Sequence, residues 1–225
     1  MESAFIKTCD LTKYFIVGSE KIVALENVNI EIQRGQICCI LGTSGSGKST
    51  LLNMLAGLEK PTMGTVQIGK YRIDRFDEGQ LAKFRQKFTG FVFQSYNLIP
   101  SLTAVENVAL PLMFKGIGRE EREKQAVEML KLVGLENRSA HKPSEMSGGQ
   151  QQRVGIARAF VGNPAVIFAD EPTGNLDSKT TKEVMELITG TIRKNNQTMV
   201  LVTHDAGVAE YADVIFRISD GKVVE

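Results

Sequence analysis

A chain of 225 residues, 42% hydrophobic and 24% charged, is sized for one large α/β domain with a filled core. Its formal net charge of +1 excludes a global electrostatic pull toward nucleic acid or an anionic membrane. The start, Met1-Glu2-Ser3-Ala4, has no basic region or long apolar stretch, and no apolar run reaches the ~20 residues that cross a bilayer; neither a secretory leader nor a membrane span is expected.

Short apolar runs recur at 37–41, 91–93, 166–169, 199–202 and 214–218, almost free of charge, as expected of strands covered on both faces of a parallel sheet. Cys38 and Cys39 are adjacent in the first of them and Cys9 stands apart, a pattern of buried thiols in a reducing compartment. Helical patterns lie between the runs. Leu51-Leu52-Asn53-Met54-Leu55 predicts a helix ending near Gly57. Thr103-Ala104-Val105-Glu106 has capping-box spacing and marks a helix start. Residues 119–133 place Ala126, Met129, Leu130 and Val133 on one face, with Gly134 as a stop, and Val184, Leu187, Ile188 and Ile192 form another stripe. The helical, polar stretch 95–162 interrupts the strands. It predicts a helical subdomain inserted into an ATP-binding core made of 1–94 and 163–225.

Three groups of residues carry chemistry. Gly42-Thr43-Ser44-Gly45-Ser46-Gly47-Lys48-Ser49-Thr50 follows the first apolar run and opens a helix, the setting that a phosphate-binding loop requires. Its glycines let successive N–H groups turn to the phosphates, and the helix N-terminus adds partial positive charge. Lys48 is expected at the β- and γ-phosphates of ATP, and the Ser49 hydroxyl on Mg²⁺. Ser147-Gly148-Gly149-Gln150-Gln151 predicts a second bare helix start suited to an anion. Asp170-Glu171 closes an apolar strand, and alternation along it predicts different tasks: Asp170 toward the Mg²⁺ shell, Glu171 as the base that polarises the attacking water.

In this order the groups resemble an ATP-binding cassette (ABC) nucleotide-binding domain over essentially the whole chain. The resemblance implies a phosphate-loop α/β core with a mostly parallel sheet and an N-terminal antiparallel β portion. It makes Gln94 the glutamine that touches Mg²⁺ and water and senses a transport partner. His204 becomes the switch histidine on the γ-phosphate. Asp177, in Gly174-Asn175-Leu176-Asp177, becomes a dimer contact, with Asn175 departing from the small residue frequent there. The aromatic that stacks on adenine is Phe15 or Tyr14, the Lys-x-aromatic spacing after Lys13 favouring Phe15.

The same resemblance implies a second copy packed head-to-tail, with Ser147 and Gly149 of one copy capping ATP on the phosphate loop of the other. It implies a separate permease received near Tyr96-Asn97-Leu98-Ile99-Pro100, and hence a peripheral place at the cytoplasmic face of the membrane, with no nucleic acid partner. The wording of 93–100 and 175–179 is similar to the lipoprotein-release and macrolide-export branch, which includes antimicrobial-peptide resistance systems and a cell-division mechanotransmitter. A soluble ABC ATPase of DNA repair or translation is the alternative. It is disfavoured because one phosphate loop is present and no coiled coil interrupts the cassette.

Overall fold

The computed structural model describes residues 4–224. Residues 1–3 of the segment read for a leader, and the final Glu225, lie outside the described residues. The elements in chain order are β1 (Ile6–Val17), β2 (Glu20–Val28), β3 (Glu31–Ile32), β4 (Ile37–Leu41), α1 (Lys48–Leu55), β5 (Met63–Ile68), β6 (Tyr71–Arg72), α2 (Glu78–Phe88) and β7 (Thr89–Phe93). There follow α3 (Ala104–Phe114), α4 (Arg119–Leu132), α5 (Gly148–Phe160), β8 (Val166–Asp170), α6 (Ser178–Lys194), β9 (Thr198–Thr203), α7 (Ala206–Ala209), β10 (Val214–Ser219) and β11 (Lys222–Val223).

Two sheets stack around α1. The N-terminal sheet is antiparallel, ordered β2-β1-β5-β6, with β3 on β1. The larger sheet runs β11-β10-β4-β9-β8-β7, and every pairing from β10 to β7 is parallel. Its central strands are apolar except for Asp170 at the end of β8 and Thr198 and Thr203 at the ends of β9, because both faces are covered, yet the period of two still sorts their side chains. Ile37, Cys39 and Leu41 of β4 join the core shared with the later helices, while Cys38 and Ile40 join the core shared with α1 and the other sheet. In β8, Ile167 and Ala169 divide from Val166 and Phe168 in the same way, and in β9 Met199 and Leu201 divide from Val200 and Val202. Burial pushes the Cys39 thiol up to about 12 and the Cys38 thiol higher still, so both are inert packing groups.

Between β7 and β8 every regular element is helical, and α3, α4 and α5 pack on one another. Thr103 caps α3 reciprocally with Glu106: Glu106 N donates to Thr103 Oγ1 at 3.3 Å, and Thr103 N donates to Glu106 Oε2 at 2.8 Å. On α4, Ala126 and Leu130 are buried and Met129 packs against the same core. On α6, Val184, Ile188 and Ile192 are buried with Leu187 beside them. Helix α5 lies directly on β7: a Cβ at Gly90 would stand 2.2 Å from the Ala159 carbonyl oxygen, so only glycine permits this approach.

One expectation needs correction. The strand read as ending in two acids ends at Asp170. Glu171 follows with φ of 45°, in the left-handed region, so a turn of the backbone, not strand alternation, separates the two carboxylates.

Candidate functional site

The C-terminal ends of parallel strands are where α/β sheets bind ligands, because the crevice opens there and helix N-termini converge. Four of the predicted site segments leave such ends. Gly42 follows β4, Gln94 follows β7, Glu171 follows β8 and His204 follows β9. With them a cavity of about 960 Å³ is lined by Gly42, Thr43, Ser44, Gly45, Gly47, Lys48, Ser49, Thr50, Gln94, Asp170, Glu171 and His204.

The phosphate loop is built on backbone that only glycine tolerates. Gly45 has φ of 79° and Gly47 φ of 104°, and a Cβ at Gly42 would sit 2.4 Å from the Ile218 carbonyl oxygen. Ser46 is 5% exposed and its hydroxyl has no hydrogen-bond partner, turned inward beside Gly42. Lys48, 7% exposed, donates from Nζ to the Thr43 carbonyl at 2.8 Å, which folds its ammonium back over the loop.

Opposite the loop, Ser49 Oγ donates to Asp170 Oδ1 at 3.2 Å. Burial raises the Asp170 carboxyl above its ordinary range, opposed by the Ser49 hydrogen bond and by Lys48 and assisted by the neighbouring Glu171. A carboxylate left partly desolvated in this way favours a bound cation. Ser49, Asp170 and Gln94 offer hard oxygen donors, the set that Mg²⁺ takes alongside water and phosphate oxygens, so the residues present fit that ion. Among the described residues no cluster of three or more His, Cys, Asp or Glu side chains forms an all-protein metal cage.

Glu171 is held at both carboxylate oxygens. His204 Nδ1 lies 2.8 Å from Oε1, and Thr203 Oγ1 donates to Oε2 at 3.3 Å. Thr203 was not among the predicted residues, although its place just before His204 was a signal for it. Ala24, Ala206 and Arg217 also line the cavity. Arg217 arrives through the pairing of β10 with β4, opposite Leu41, a non-local juxtaposition that local sequence does not announce.

The second predicted phosphate site lies elsewhere. Ser147 caps α5, with Gln150 N donating to its hydroxyl at 3.3 Å and Ser147 N donating to Gln150 Oε1 at 3.0 Å. Residues 147–150 do not line the cavity. They sit beside the start of α6, where a Cβ at Gly149 would be 3.0 Å from Thr180 Cγ2. Asp177 caps that helix, accepting from Lys179 N and Thr180 N at 3.1 Å and from Thr180 Oγ1 at 2.7 Å, and these bonds hold its carboxyl below the usual range. Asn175 Nδ2 donates to the Gln94 carbonyl at 2.9 Å, tying its segment to the residue after β7.

The two aromatic candidates stand on the hairpin rather than in the cavity lining. Lys21 Nζ lies 4.1 Å from the Tyr14 ring centroid, and Lys13 Nζ lies 5.0 Å from that of Phe15, which is 38% exposed.

The sequence profile of the family described as ABC transporter matches residues 25–174. The chain is 50% identical over 222 residues to the uncharacterized ABC transporter ATP-binding protein MJ0796 of Methanocaldococcus jannaschii, covering 97% of this chain and 94% of that one. The dimeric structure of a post-hydrolysis state of that ATP-binding cassette, bound to ADP and Pi, superposes with a TM-score of 0.92 at 47% identity, over 98% of this chain and 97% of the other. The lipoprotein-releasing system ATP-binding protein LolD of Geobacter metallireducens is 44% identical over 99% of both chains. The macrolide export ATP-binding/permease protein MacB of Vibrio parahaemolyticus is 44% identical over the whole of this chain, which spans 34% of that protein. By the profile match over residues 25–174, the identity to the MJ0796 cassette and the shared fold, the chain belongs to the ABC transporter family, as one of its ATP-hydrolysing ATP-binding cassettes.

Proposed function

We propose that this cassette works as a head-to-tail pair around two ATP–Mg²⁺ and drives a separate integral-membrane permease of the lipoprotein-release or macrolide-export kind. The observation that carries the reading is the division of the site. The cavity gathers the phosphate loop, Gln94, Asp170, Glu171 and His204, and its lining leaves out Ser147-Gly148-Gly149, which sits beside the start of α6 that Asp177 caps. A second copy, rotated by a two-fold axis, would supply the missing half to each cavity. The dimeric state of the MJ0796 cassette supports this arrangement.

Within one site the residues divide the work. The backbone N–H groups of 42–49 and the Lys48 ammonium bind the phosphates, Lys48 exchanging the Thr43 carbonyl for a charged oxygen. Ser49, Asp170 and Gln94 would hold Mg²⁺, which would supply positive charge against the phosphate oxygens. Glu171 accepts the proton of the attacking water, and Thr203 and His204 fix its carboxylate. A carboxylate only accepts, so His204 donates from Nδ1 to Glu171; it also donates to a γ-phosphate oxygen only as the imidazolium or after leaving Glu171. Phe15, with its open ring, stacks on adenine.

The LolD and MacB relatives support the export branch. Among the described residues no helix is long and apolar enough to cross a membrane, so the span would come from the permease. Tyr96-Asn97-Leu98-Ile99-Pro100 does not line the apolar groove of about 710 Å³ formed by Phe91, Phe93, Leu110, Pro111, Phe114 and Arg158 among others. Arg158 donates to the Tyr96 and Asn97 carbonyls, however, and the groove with this adjoining segment is the surface offered to the permease. The test is affinity capture of Glu171→Gln from solubilised native membranes with ATP and Mg²⁺. Recovery of a multi-span protein is the expected result; recovery of ribosomes, DNA or soluble partners alone would overturn the permease reading and leave the ATPase chemistry standing.

A further inference from the structure

The peptide after Gln94 is held from α5, the helix that begins at Ser147-Gly148-Gly149. Tyr96 and Asn97 are consecutive residues at φ of 60° and 48°, a left-handed pair that persists only where surrounding contacts impose it. One guanidinium faces both of their carbonyls. Arg158, near the C-terminal end of α5, donates from Nη2 to Tyr96 O at 2.8 Å and from Nη1 to Asn97 O at 2.5 Å. Burial works against the Arg158 charge, and among the described residues no carboxylate pairs with it, so its hydrogen bonds to the loop are what hold it in place. The other end of α5 meets the same loop: a Cβ at Gly148 would lie 2.8 Å from the Tyr96 hydroxyl.

Gln94 is confined from the opposite side. Asn175 Nδ2 holds its carbonyl, and the bare Gly174 makes room for its amide, since a Cβ there would stand 2.8 Å from Gln94 Nε2. The loop therefore lies between α5 and the segment after Glu171, and Arg158 is the side chain that fixes its turn. Arg158 also lines the apolar groove, so a molecule seated there touches the same guanidinium.

We propose that Arg158 is a positioning residue for ATP hydrolysis. By fastening the left-handed turn at Tyr96 and Asn97 to α5, it sets Gln94 in the cavity and makes that placement follow the orientation of the helix that carries Ser147-Gly148-Gly149. This rests on the reading of Gln94 as a ligand of Mg²⁺ and water. Lysine cannot replace the arginine here, because one compact ammonium does not reproduce the rigid planar fork that serves two carbonyls.

The test is a mutant cycle on the full chain, using steady-state phosphate release and titration with a fluorescent ATP analogue. Arg158→Lys is expected to lower kcat by about ten- to a hundredfold, the scale of a small misplacement of a catalytic group. Nucleotide affinity should stay within about twofold, because the phosphate loop is untouched. In a Gln94→Ala background the same substitution should change kcat little, since the group it positions is gone. An equal loss in both backgrounds would overturn the proposal, as would a loss of affinity without a loss of kcat. Full turnover by Gln94→Ala alone would refute the Gln94 reading itself, and the proposal with it. If Arg158→Lys fails to fold, Arg158→Gln, which keeps a planar donor for one carbonyl, replaces it in the cycle. Failure of both to fold would make Arg158 a structural residue and overturn the assignment.

Discussion

Glu171 owes its position to backbone conformation, because a φ of 45° turns it out of β8 while Asp170 stays in the strand beside Ser49. The expected alternation along the strand is therefore replaced by a left-handed turn that separates the two carboxylates. That residues 42–50 and the acids share one cavity was legible because each group is consecutive in sequence and follows an apolar strand. Thr203, Arg217 and Asn175 were not, because their contacts are made by strand pairing and loop packing between distant segments. Glu171→Gln keeps an acceptor for His204 and Thr203 and loses the proton-accepting carboxylate. Phosphate release should fall by about 10²–10⁴-fold, the usual weight of a general base. A turnover rate equal to wild type would remove Glu171 from that role.

At the scale of elements, the sheet that carries the site is anchored by polar contacts at strand starts. Asp213 Oδ2 accepts from Ile37 N at 2.8 Å, at the first residue of β4, and its Oδ1 accepts from Arg193 at 2.7 Å at the end of α6. Burial pulls the Asp213 carboxyl up, but the Ile37 N–H and Arg193 outweigh it and hold it below the usual range. Its stabilising contribution is therefore present above the unfolded value of about 4 and is lost as pH falls through the lower folded value. Asp213→Ala should cost about 1–3 kcal/mol in urea unfolding at neutral pH, because it orphans a backbone donor at the root of the sheet. The gap from wild type should narrow below about pH 4, and a constant gap down to pH 2 would contradict the assignment. Helices with broad apolar stripes or clear caps, α3, α4 and α6, were readable in sequence. Helix α2 was not read, although Asp77 and Gln80 form a capping box at its start: it buries only Leu81 and Phe84, so its apolar stripe is short, and Phe84 and Phe88 pack on Tyr71 of β6.

Over the whole molecule, the parallel order of β10-β4-β9-β8-β7 brings residues far apart in sequence to one edge of the large sheet, while α3 and α5 present an apolar groove outside the nucleotide cavity. Phe114, 66% exposed at its rim, contributes little to the core. Phe114→Asp should leave basal ATP hydrolysis within about twofold of wild type while abolishing co-purification with the permease, as expected for a charge placed in an apolar docking surface. Retained co-purification would place the permease elsewhere on the chain. The fold class was legible because the interiors of the buried parallel strands are apolar and the phosphate loop fixes the first crossover; the groove was not, since it exists only where α2, α3 and α5 pack over β7. The division of each ATP site between two copies is tested most directly by sedimentation of Glu171→Gln with ATP and Mg²⁺. A dimer that holds two ATP and returns to monomer in Ser147→Arg on the same background is the predicted result. A protein that stays monomeric at saturating ATP, or dimerises equally with Ser147→Arg, would contradict the account.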